Sequence, residues 1–170
     1  AGLASAPKTW PQFLSAVAKL KGAGITPIAI GSKDEWPDAF YWDYLATKLC
    51  SKAVMQSSAV TYNFGNGCWT KAGAYLQQLL DAGPFQNGFL ATPAQQGASS
   101  SAGLVANGKA AMELQGHWNP GVMQSLTPEN KVPSFLGWFP FPNVPGSKAI
   151  PGSLLGGGDG YACSWKAPQP

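Results

Sequence analysis

Trp36 sits in Lys33-Asp34-Glu35-Trp36-Pro37, directly after a short apolar run, and Trp118 sits in Gly116-His117-Trp118-Asn119 after another. An indole ring covers an apolar face, and a carboxylate or amide beside it fixes hydroxyl groups. Together these residue types can bind a neutral, hydroxyl-rich molecule. Asp34 and Glu35 are the acceptors beside Trp36. Asp159 lies within Gly156-Gly157-Gly158-Asp159-Gly160, where glycines allow close backbone approach to a ligand. Each site also has a plainer reading. Trp36 or Trp118 could pack in the core, Asp34 and Glu35 could form a solvated acidic loop, and Gly and Asp are common turn residues.

Bond-breaking chemistry finds little support. His117 is the single histidine and could act as a general base only with partners, yet no Gly-x-Ser-x-Gly elbow accompanies it. A glycosidase needs two carboxyl groups about 5 to 10 Å apart across a scissile bond. Asp34, Glu35, Asp38 and Asp43 crowd one short stretch and cannot easily flank a bond from both sides. The glycines around Asp159 lack the Lys-Ser/Thr of a phosphate loop. Cys50, Cys68 and Cys163 show no zinc-binding spacing. Cys50 and Cys68 flank a short polar loop that a disulfide could close in an oxidising compartment; three buried thiols is the alternative. No metal or cofactor is expected.

Composition narrows the partner. Charged residues make up 11% of the 170, against about a quarter in ordinary domains. The net charge is +3, and arginine is absent. Arginine is the preferred group for bidentate phosphate and guanine contacts, so nucleic acid is not an expected partner. Apolar residues, at 45%, suffice for a folded core. No apolar run approaches the length of a membrane span.

The pattern of elements explains how those loops would be positioned. Thr9 is an N-cap with Pro11 in the first turn, and Phe13, Ala16, Val17 and Leu20 follow at helical spacing. Gly22 and Gly24 end that helix. A buried strand is expected over 27–30, then helices over 38–50 and 69–82. Trp42, Leu45, Ala46 and Leu49 face inward on the first of these two, and Ala72, Tyr75, Leu76, Leu79 and Leu80 on the second. Phe40 and Tyr41 could line a cleft, although core packing is the favoured reading for most of the aromatics on this helix. Residues 51–67 read as irregular with at most a short helix. A weak helix should start at Thr92-Pro93 and reach Asn107-Gly108. A strand over 110–114 and a short helix over 120–126 come next, then strand-like runs over 136–141 and 161–165. Helix and strand in alternation define an α/β class.

Four ordered motifs carry a resemblance. They are Thr9-Trp10-Pro11-Gln12-Phe13 leading to Gly24-Ile25-Thr26-Pro27-Ile28-Ala29; the stretch from Gly31 to Trp36; Asn107-Gly108-Lys109-Ala110-Ala111-Met112-Glu113 running into Gly116-His117-Trp118; and Gly137-Trp138-Phe139-Pro140-Phe141-Pro142 followed by Gly156 to Tyr161. In this order the chain resembles the sugar-binding proteins of bacterial ABC importers, with an actinobacterial flavour. Each motif alone is unspecific; the ordered set is not.

The resemblance implies a periplasmic-binding-protein-like α/β fold, in which two lobes close on a ligand. Residues 1–136 correspond to most of the second lobe. Residues 137–170 correspond to a hinge crossing and a partial return to the first lobe. The family is longer, so this chain reads as an internal fragment of an extracytoplasmic, secreted or lipid-anchored parent. Its truncated edge offers a route to self-association. The implied partners are a mono- or oligosaccharide and a membrane permease. Trp118 would stack on a sugar ring, and Asp159 would reach the cleft from the other lobe. The full candidate set for ligand binding is Asp34, Glu35, Trp36, His117, Trp118, Asn119, Gly158 and Asp159.

Overall fold

The first helix, α1 (Trp10–Gly22), starts where its sequence provides both halves of a capping box. The Gln12 amide donates to Thr9 Oγ1 at 3.5 Å, and the Thr9 amide donates to Gln12 Oε1 at 3.2 Å. Trp10, Phe13, Ala16, Val17 and Leu20 form its buried face. The computed structural model describes residue 3, residues 5–149 and residues 152–156. The expected strand over 161–165, Cys163, Gly158 and Asp159 lie outside the described residues.

Strand β1 (Thr26–Ile28) pairs in parallel with β2 (Ala110–Met112), Thr26 opposite Ala110 and Ile28 opposite Met112. Both are shorter than the apolar runs suggest. Beyond β1, the Gln86 side chain replaces a neighbouring strand. Its Nε2 donates to the Ile30 carbonyl at 2.7 Å, and its Oε1 accepts from the Ile30 amide at 3.1 Å. Backbone groups are thereby satisfied without a longer ladder.

Helix α2 (Trp36–Leu49) begins two residues before the expected start, with Pro37 in its first turn. Tyr41, Leu45, Ala46 and Leu49 are buried on it. Tyr41 is thus a core residue and does not line a cleft. Helix α3 (Lys52–Thr61) fills what reads as irregular sequence, because Ser51 Oγ accepts from the Val54 amide and caps it. Helix α4 (Gly67–Asp81), capped by Asn66, packs on α2 through Ala72 and Leu79. Leu80 is 42% exposed rather than inward; one residue past Leu79 it rotates about 100° off the packed face. Cys50 and Cys68 are joined by a disulfide with a Cα separation of 5.2 Å, closing the hairpin that contains α3.

The weak helix expected from Thr92 is replaced by a loop. Helix α5 spans only Ser101–Ala106, with Ser100 Oγ accepting from the Gly103 amide. Upstream, the Ala94 amide is taken by Asp34 and Gly97 has φ 84°, which breaks helical continuity. Helix α6 is Asn119–Ser125. Residues 136–141 form no strand. Instead Phe141 inserts against Trp10, Phe13 and Tyr44, stacking on Tyr44 at 4.9 Å. Asn143 then bridges to Thr9, with the Trp10 amide donating to the Asn143 carbonyl at 2.8 Å. No helix among the described residues is long and apolar enough to cross a membrane.

Candidate functional site

Parallel pairing makes β1 and β2 end on the same side of the molecule. Ligands in open α/β sheets gather beyond such carboxyl ends. The chain leaving β1 forms a single turn of 3-10 helix over Ser32–Asp34 and reaches Trp36. The chain leaving β2 reaches Trp118 just before α6. The two indoles meet with ring centroids 6.3 Å apart and planes at 56°. They are 37% and 44% exposed. Phe40 supports Trp36 edge-on at 5.4 Å, and the His117 ring lies edge-on to Trp118 at 5.8 Å.

Two glycines make this arrangement fit. A side chain on Gly116 would overlap the outer atoms of the Trp118 ring. Its value is therefore space beneath the indole, and not the sharp backbone turn that glycine usually supplies. A side chain on Gly31 would strike the Ala94 backbone, so Gly31 lets the 92–100 loop press against the Trp36 loop.

The acidic candidates divide by role. Asp34 Oδ2 accepts from the Ala94 amide at 2.8 Å, so this carboxylate fixes a loop with one oxygen. Glu35, at the N-cap of α2, has φ 63° and makes no side-chain cap. It is exposed beside Trp36. A non-glycine residue at positive φ is uncommon and is often found at functional turns. His117 is exposed. Asn119 is buried, and its Nδ2 donates to Glu113 Oε2 at 2.8 Å. Its side chain is turned toward Glu113 beneath the Trp118 loop, with Oδ1 buried and without a hydrogen-bond partner.

Glu113 escapes a reading limited to loop tips, although an acid ending the apolar run Ala110-Ala111-Met112 is a visible signal. Its carboxylate receives Ser101 Oγ and Asn119 Nδ2, with Gln115 Nε2 at 3.4 Å. Burial pushes this carboxyl up from its ordinary 4.5 to about 7, against the opposing pull of the three hydrogen bonds. Among the described residues no cation pairs with it. Tyr41 lies close enough to feel its charge, and its own hydroxyl is raised well above the usual range, first by burial.

The chain belongs to the bacterial extracellular solute-binding proteins, whose family model matches residues 1–170. Solved structures agree. One, described under xylan utilization by the thermophilic bacterium Caldanaerobius polysaccharolyticus, superposes with a TM-score of 0.77 at 28% identity, covering 86% of this chain and 36% of that one. The solute receptor AcbH, described as having an exclusive preference for β-D-galactopyranose, gives a TM-score of 0.67 at 22% identity, over 82% of this chain and 34% of its own. No curated protein sequence matches significantly. The fold is thus the periplasmic-binding-protein-like α/β type, and the chain spans about a third of the receptors it resembles.

Proposed function

We propose that this chain supplies one wall of a sugar-binding cleft in the extracytoplasmic receptor of an ABC importer. The observation that carries this reading is the pair of half-exposed indoles, 6.3 Å apart, beyond the carboxyl ends of two parallel strands. A tilted pair of rings offers a shallow apolar seat for the C–H face of a saccharide. Glu35 and the free oxygen of Asp34 then accept hydroxyl hydrogens at its edge. The low charge of the chain suits a neutral guest. Residues 1–136 would form most of the second lobe, and residues 137–170 a hinge crossing and partial return to the first. Closure of the lobes would trap the sugar and present the receptor to a membrane permease. Binding and release suffice for this role, with no covalent step.

Affinity in the micromolar range, about −8 kcal/mol, is expected for the two-lobed receptor. Replacing Trp118 with Ala should cost roughly 1–3 kcal/mol of it while leaving the melting temperature nearly unchanged. Calorimetry with xylotriose and D-galactose, together with thermal melts, checks both halves. A large fall in melting temperature would make Trp118 a core residue instead. Turnover of a chromogenic glycoside that disappears in Glu35→Ala would replace the binding reading with an enzymatic one.

A further inference from the structure

The two loops that carry the indoles are joined underneath by a continuous chain of polar groups. Asp34 Oδ2 accepts from the Ala94 amide at 2.8 Å. The Ala94 carbonyl faces Ser101 Oγ at 3.1 Å. Ser101 Oγ also makes a short contact with Glu113 Oε1, and Glu113 Oε2 accepts from Asn119 Nδ2, next in sequence to Trp118. Ser101 is fully buried and Asn119 nearly so.

The serine hydroxyl owns one proton but faces two acceptors, the Ala94 carbonyl and the Glu113 carboxyl. A proton on Glu113 resolves this. Oε1–H then donates to Ser101 Oγ, and Ser101 Oγ–H donates to the Ala94 carbonyl. When the proton leaves to solvent, the hydroxyl must turn toward the carboxylate, and the Ala94 carbonyl keeps only the Ala102 amide at 3.1 Å.

From this geometry we infer that Glu113 is a positioning residue whose proton ties the Trp36 loop to the Trp118 loop, making the aromatic seat sensitive to pH. The raised titration of the Glu113 carboxyl, to about 7, places the change in the neutral range. Of the other titratable groups, Tyr41 on α2 feels Glu113 directly and Asp38 acts on Tyr41, while Asp34 ends the polar chain and His117 shares the loop of Trp118. Helices α5 and α6 contribute none. The consequence for ligand affinity rests on the sugar reading above; the coupling between proton and ring does not.

The test labels the full chain with 5-fluorotryptophan and follows its fluorine NMR spectrum from about pH 5 to pH 8.5. The Trp118 signal is assigned by Trp118→Phe. His117→Gln serves as background, so that the neighbouring imidazole cannot supply the titration. The expected result is a Trp118 shift with a midpoint near 7 that Glu113→Gln abolishes and Ser101→Ala displaces, while the buried Trp10 signal stays in place in every variant. A Trp118 signal that ignores pH, or a titration that survives Glu113→Gln, overturns the inference. Affinity of the two-lobed receptor for xylotriose or D-galactose should fall severalfold from pH 6 to pH 8, with the decline removed by Glu113→Gln. If neither sugar binds, the functional reading fails while the fluorine result still decides the role of Glu113.

Discussion

Trp118 keeps its place because Gly116 has no side chain. A methyl group there would overlap the Trp118 ring before anything else, so Gly116→Ala should push the indole off its seat. The expected outcome is a loss of sugar affinity of about tenfold or more, near 1.4 kcal/mol, with the melting temperature almost unmoved. Calorimetry beside thermal melts separates the two. Glu113 acts at the same scale through its charge. Its carboxyl holds its proton to about 7 in the fold, against an ordinary 4.5. The resulting stability is complete below about pH 4.5 and is lost as pH rises through about 7. Melting temperature should therefore fall from about pH 5 to pH 8 in the native chain and stay flatter in Glu113→Gln. That Trp36 and Trp118 each follow a strand is legible in the sequence; that their rings meet, 6.3 Å apart, is not. Nor is the role of Asn119, because sequence cannot say whether an amide after an exposed ring faces outward or back toward a buried acid.

Among the elements, α1 is fully legible in the sequence. Its cap, its proline and its spacing of Phe13, Ala16, Val17 and Leu20 all pointed the same way, which is where local and tertiary preferences agree. Strand β1 ends earlier than its apolar run predicts, because the Gln86 amide, more than fifty residues away in sequence, satisfies Ile30 in place of a strand. The helix expected from Thr92 forms only over Ser101–Ala106 for a similar reason. Asp34 captures the Ala94 amide, and no local pattern announces that contact. Helix α3 is weakly marked in the sequence because only Ser58 on it is fully buried, with Val54 and Met55 half-buried against the core. That poverty of packing makes the Cys50–Cys68 bridge important. It closes a stretch with a sequence separation of 18, and such a loop contributes about 3 kcal/mol through the unfolded state. Reducing agent, or Cys50→Ser with Cys68→Ser, should lower the melting temperature by several degrees. An unchanged melt with both thiols free would show that α3 holds without the bridge.

At the scale of the whole molecule, the proposed reading makes the two half-exposed rings one wall of a cleft. Solute receptors bind by closing two lobes, and this chain spans about a third of the receptors it resembles. A single wall should therefore bind a sugar far more weakly than the two-lobed receptor does. On the proposed reading, the exposed Trp138, 79% accessible, lies in the 137–170 stretch assigned to the hinge crossing and partial return to the first lobe. The α/β class was readable from the order of elements, and the family from the ordered motifs. Which ring faces which was not, since that depends on parallel pairing of strands more than eighty residues apart. The most direct test is calorimetric titration of the two-lobed receptor with xylotriose and D-galactose, comparing native protein with a Trp36→Ala, Trp118→Ala double variant. The account predicts micromolar binding of at least one sugar that the double variant loses while its melt stays cooperative; native-like binding by the double variant would contradict it.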